Sequence, residues 1–154
     1  MIIFLLILTV LFFYKIFLHP DQMIYPAYDL GMYSAWKNFF VNSFYEFDRL
    51  PLWNPYFFSG STFVGSGQSA MFYPINILYL FFPVERTFGY IFVLDFFLIG
   101  LFTYLYCRII KLDKFSSIIS AICMEFSGAI ALKLFSGHIF IIDGIVWFPL
   151  LLLF

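Results

Sequence analysis

Four long apolar runs, residues 2–18, 88–107, 115–134 and 139–154, dominate this chain and leave it few folds to choose from. At 1.5 Å of rise per residue, about 20 helical residues match the ~30 Å hydrocarbon core of a bilayer. Composition agrees where it matters: hydrophobic residues fill 64% of the 154 positions and charged ones only 11%, which excludes an ordinary soluble domain. The expected fold is all-α, a polytopic helical membrane protein. It has about four transmembrane helices and a large outer loop, residues 19–86, that carries two interfacial helices.

The first run is interrupted only by Lys15, whose long stem can carry its charge to the interface. It lacks the basic start and small-residue cleavage site of a signal peptide, so it reads as an uncleaved anchor. Orientation follows from Arg108, Lys111 and Lys114, which crowd one short connection between the second and third runs. Such a cluster marks the cytoplasmic side far better than the sparse Lys37 and Arg49 of the long loop. The expected arrangement has a cytoplasmic amino terminus and loop 19–86 outside. The fourth run is still apolar at Phe154, which reads as the amino-terminal part of a longer protein.

Within the loop, residues 30–47 show a helical period. Tyr33, Trp36, Phe40, Phe44 and Phe47 recur at three- and four-residue steps, with Ser34, Asn38, Asn42 and Glu46 on the other side. This is an amphipathic helix whose aromatic face lies along the membrane or packs on the protein's own loop. Residues 51–83 follow. Pro51, Pro55, Gly60, Gly65 and Gly67 surround Trp53, Asn54 and Tyr56, so the backbone turns repeatedly and forms a structured, ring-rich loop. Pro74 suits the first turn of a short second helix of about nine residues that ends before Pro83 and lies in the membrane surface.

Asp29 is the acid of most interest, placed after the first span and before the amphipathic helix. On position alone it caps the helix beginning near Leu30, or it presents a carboxylate at the outer interface. Trp53, Asn54 and Tyr56 could line a sugar site, since flat rings stack on pyranose faces and an amide both donates and accepts; the same rings also serve as interface anchors. Gln68, Ser69 and Asn76 add polar groups near the short second helix or serve as loop hydrogen bonds, while Lys133 and His138 stand at the outer ends of the third and fourth runs, where a cation could steady a phosphate or a histidine in a short turn is simply solvated. Asp95, Glu125 and Asp143 lie inside apolar runs, where acids face a bundle interior or a cavity. Cys107 and Cys123 read as buried thiols. No phosphate loop, HExxH, GxSxG or paired D-x-D is present, so no metal site and no cofactor is indicated, and nothing points to nucleic acid.

The short amino-terminal span, the early acid, PLWNPYFFSG at 51–60, QSAMFYPINILYLFFP at 68–83, Phe126-Ser127-Gly128 and the stretch from Gly137-His138 to Pro149 together resemble the YfhO-like bacterial membrane proteins of the GT-C glycosyltransferase type. The resemblance implies transfer of a sugar from a polyprenyl-phosphate donor to an envelope acceptor outside the cytoplasmic membrane. It makes Asp29 the leading catalytic candidate and Trp53, Asn54, Tyr56, Gln68, Tyr73, Lys133 and His138 the candidates for substrate binding. Leu30 stands where several such enzymes carry a second acid, which leaves a divalent-cation requirement open. A non-catalytic membrane protein that binds lipid carriers or partners is the competing reading, and a transporter built on the intramembrane acids is the third.

Overall fold

The computed structural model describes residues 1–19 and 28–153. The start of the outer loop at 20–27, the side chains of Tyr28 and Phe47 and the end of the fourth apolar run at Phe154 lie outside the described residues. The chain is mainly helical. Helices α1 (Ile2–Phe12), α2 (Tyr14–Leu18), α3 (Tyr28–Phe47), α4 (Val84–Ile109), α5 (Lys114–Glu125), α6 (Gly128–Ser136) and α7 (Ile139–Leu151) are joined by a loop with two 3₁₀ helices and one two-stranded ribbon.

Helix α4 is the central post, with α1, α5 and α7 packed around it. Its 26 residues rise about 39 Å, enough to cross a bilayer. Phe88, Ile91, Phe92, Asp95, Phe96 and Ile99 recur at helical spacing and are all buried, so one acid occupies a core position of an otherwise apolar stripe. The Asp113 carboxylate accepts from the backbone N–H groups of Phe115 and Ser116 at 2.9 and 3.0 Å and starts α5 where the sequence turns back from the basic connection.

Two helical stretches, Val84–Ile109 and Lys114–Ser136, are long and apolar enough to cross a membrane. The other two expected spans are shorter as helices. The run 2–18 breaks at Phe13 into α1 of 11 residues and α2 of 5, and α7 has 13. The third run is also interrupted: Ser127 leaves helical geometry and its hydroxyl accepts from Ile130 N–H, so α5 ends and α6 begins within one apolar stretch. Apolar side chains such as Ile3, Leu11, Phe115, Leu132 and Leu151 point outward from these helices. Cys123 is exposed on α5, whereas Cys107 is buried as expected.

The aromatic face of α3 packs on the protein itself. Tyr33, Trp36 and Phe40 are buried, with Tyr33 edge-on to Phe140 at 5.4 Å and Trp36 edge-on to Phe57 at 5.2 Å. The helix therefore gives its main apolar face to the loop and to α7, and Phe44 is the ring of that stripe that turns outward.

The ring-rich loop folds back as the ribbon Trp53–Asn54 (β1) against Ser61–Thr62 (β2), two residues on each side in a mainly helical chain. Phe58, Ser59 and Gly60 make the turn with positive φ, and a Cβ at Gly60 would stand 2.6 Å from the Trp53 indole. Glycine is required there by both backbone and ring. The expected second interfacial helix is a 3₁₀ helix of 7 residues, Pro74–Leu80, with Pro74 in its first turn. The Asn76 amide donates to the Ala70 carbonyl and the Tyr45 hydroxyl to the Leu80 carbonyl, while Tyr79 is buried, so this segment is tied into the core.

Candidate functional site

Asp29 lies in the first turn of α3, inside a helix that begins at Tyr28, and so is not its cap. An acid is favoured there by the unpaired N–H groups and the helix dipole. Its Oδ2 stands 2.9 Å from Nε2 of His138, with the two side chains 40% and 31% exposed. The histidine is positioned by the α6–α7 turn: Gly137 adopts a left-handed conformation, and the His138 backbone N–H donates to the Lys133 carbonyl at 3.0 Å. The His138 ring lies over Phe140, 6.5 Å between centroids, and Phe140 in turn packs on Tyr33 one turn along from Asp29. Burial, and after it the Asp29 charge, raises the Tyr33 phenol above its ordinary range. Nδ1 of His138 is buried with no hydrogen-bond partner among the described residues. Lys133 contributes its backbone carbonyl to this turn.

The other expected substrate residues do not gather around Asp29. Trp53 and Tyr56 line a hollow of about 510 Å³ with Phe39, Asn42, Glu46 and Arg49, along the second half of α3, and Tyr56 with Asn54 also lines a smaller one of about 130 Å³ against Met32, Ala35 and Trp36. From Asp29 to Glu46 the helix rises about 26 Å. Asn54 and Gln68 line a separate hollow of about 200 Å³ with Trp36 and Phe57. Asn54 is buried and its Oδ1 accepts from Tyr56 N–H at 2.9 Å, so this amide chiefly shapes the turn before the ribbon's tip.

Tyr73 points inward instead. Its buried hydroxyl lies in the neighbourhood of Asp95, Asp143 and Trp147, and burial, then the two acids, holds this phenol above its ordinary range. Lys37 completes the same region: it is 4% exposed, donates from Nζ to the Ser69 carbonyl at 2.8 Å, and sits 5.2 Å from the Tyr79 ring centroid. Sequence reasoning passed over Lys37. The available signal was its place beside Tyr33, Trp36 and Phe40 on the apolar stripe of α3, where a surface lysine has no business.

Burial lowers Lys37 to about 8, and the Asp143 charge opposes that lowering. The ¹³Cε resonance of Lys37, assigned with Lys37→Arg, is therefore expected to titrate near pH 8, well below the exposed lysines. In Asp143→Asn its midpoint moves lower still. A midpoint above 10 in the wild type would mean that water reaches the amine.

Glu125 stands apart from Asp95 and Asp143. Its Oε1 accepts from the Thr9 hydroxyl at 2.5 Å, and its carboxylate lies against Gly100 of α4. Asp95 and Asp143 act on each other, and the neighbours of the Glu125 carboxylate are Thr9 and Gly100. Among the described residues no group of three or more histidines, cysteines and acids could hold a metal ion.

Fold and surface together define a mainly helical protein with two helices long and apolar enough to cross a membrane. Compared with known proteins, the chain matches no family model, no curated protein and no solved structure.

Proposed function

We propose that this chain is a GT-C-type, YfhO-like membrane glycosyltransferase. It crosses a bacterial cytoplasmic membrane about four times and transfers a sugar from a polyprenyl-phosphate donor to an envelope acceptor on the outer face. The observation that carries this reading is the Asp29–His138 pair: a half-exposed carboxylate at a helix start, 2.9 Å from an imidazole delivered by a distant turn. Its placement supports the reading as well. The basic connection at 108–114 follows one end of α4 and the outer loop precedes the other, about 39 Å away. The α6–α7 turn lies beyond the third run from that basic connection and touches the start of α3.

In the proposed reaction the Asp29 carboxylate accepts the proton of an acceptor hydroxyl. The acceptor oxygen bonds to the anomeric carbon as the carbon–oxygen bond to phosphate breaks, and the electron pair leaves with the polyprenyl phosphate. Configuration inverts. His138 holds Asp29 in place and, when protonated, puts a cation beside the departing phosphate. The distance of the ring-lined hollow from Asp29 favours a second reading, in which a non-catalytic membrane protein uses Trp53 and Tyr56 to bind a lipid carrier or a partner.

Two measurements test the proposal. Full chain in nanodiscs made with a bacterial lipid extract containing polyprenyl-phosphate sugars is expected to release free polyprenyl phosphate in step with sugar transfer; a preparation that is folded and releases none removes the enzymatic reading. In a background with Cys107 and Cys123 replaced by Ser, Ser59→Cys should react with a membrane-impermeant maleimide on intact cells and Lys111→Cys only after permeabilisation. The reverse pattern would overturn the orientation.

A further inference from the structure

Where the outer loop meets α4 and α7, polar groups from four parts of the chain are buried together. Asp95 on α4 is fully buried, Asp143 on α7 is 7% exposed and Tyr79 of the Pro74–Leu80 helix is 1% exposed. Both oxygens of Asp95, Oδ1 of Asp143 and the hydroxyls of Tyr73 and Tyr79 have no hydrogen-bond partner in good geometry among the described residues. Buried polar atoms are ordinarily satisfied, so five orphaned oxygens in one neighbourhood call for a species that binds oxygen. The two carboxyl groups interact directly with each other, and both phenols feel both acids.

The charge count narrows what that species is. Lys37 from α3, whose ammonium is engaged with the Ser69 carbonyl, supplies one positive charge in the same region. The Trp147 indole of α7 lies beside Tyr73 and is uncharged. Two carboxylates against one ammonium leave a single negative charge in an apolar surrounding. A divalent ion would overcompensate it, whereas one monovalent cation closes the balance.

We propose that Asp95 and Asp143, with the hydroxyls of Tyr73 and Tyr79, hold one exchangeable monovalent cation, a sodium ion or a proton. The site joins the outer loop to two of the membrane-embedded helices and stands independently of the transferase reading, because none of its members is Asp29 or His138.

The test uses the full chain in detergent. Thermal unfolding is followed in sodium chloride against choline chloride at matched ionic strength and pH, and the carbonyl stretch of neutral carboxylic acids is followed by infrared difference spectroscopy. If sodium is the occupant, the midpoint rises roughly 3–5 °C per tenfold increase in sodium above its binding constant. Asp95→Asn and Asp143→Asn lose that rise. Tyr79→Phe, which removes one oxygen and keeps the ring, shifts it to several-fold higher sodium. If a proton is the occupant, sodium has no effect and a neutral-acid carbonyl band disappears in Asp95→Asn or Asp143→Asn. A folded wild type with neither a sodium response nor such a band overturns the proposal.

Discussion

Exchanging Asp29 for Asn is expected to slow sugar transfer by roughly 10²–10⁴-fold, the range that removal of a general base ordinarily costs. Asparagine keeps the shape of the side chain and can still bond His138, but it cannot take the acceptor's proton. Because Asp29 is 40% exposed and lies in the first turn of α3, the fold does not depend on its charge, and the thermal midpoint of the variant should stay close to that of the wild type. His138→Gln should lose less, since it leaves the carboxylate in place. Full transfer by Asp29→Asn would remove Asp29 from the chemistry, whatever became of the rest of the proposal.

The largest structural effect is expected at Gly100. A Cβ there would meet Oε2 of Glu125 at 2.2 Å, its Cδ at 3.0 Å and its Cβ at 3.4 Å, so α4 and α5 approach closely because residue 100 has no side chain. Glu125 cannot simply swing aside. It is fully buried and its other oxygen is held by Thr9 of α1. Gly100→Leu should therefore push α5 off α4 and cost about 3 kcal/mol or more, the upper part of the range for overpacked cores. Yield and monodispersity on size exclusion fall with it. The second substitution Glu125→Ala should recover most of that loss, because it opens space where the new side chain points. Glu125→Ala alone removes an orphaned buried oxygen and should cost less than the glycine change. A Gly100→Leu protein that melts like the wild type would show that the α4–α5 approach is looser than described.

Much of the scaffold was legible in local pattern. The apolar run 88–107 announced α4, whose helix begins four residues earlier at Val84, and the stripe at Tyr33, Trp36 and Phe40 announced α3 to within two residues of its start. Gly60 and the crowded prolines announced a turning loop. The break at Phe126–Ser127 was not legible, because a serine inside an apolar run looks the same whether its hydroxyl bonds back along one helix or caps the next. The target of the aromatic face of α3 was equally hidden: rings at helical spacing bury themselves as well in lipid as against Phe57 and Phe140.

The candidate site was legible as a set of residues and not as a grouping. Asp29 and His138 were both singled out, yet only the docking of the α6–α7 turn on α3 places them 2.9 Å apart. Trp53 and Tyr56 were expected beside the same acid; Trp53 lines a hollow with Glu46 and Arg49 towards the end of α3, and Tyr56 packs on Phe39 in its middle. Lys37 was read as a stray loop charge, and the fold buries it among Tyr79, Ser69 and the acids of α4 and α7.

The sequence by itself determined that the chain is helical and apolar, where α3 starts to within two residues, and which residues carry charge or rings. Tertiary structure alone decided which of those residues meet. Helix start, stop and sidedness depend on neighbours within about four positions, and these are printed in the sequence. Partnership across helices depends on the rotation and depth at which each one docks, a property of the packed whole.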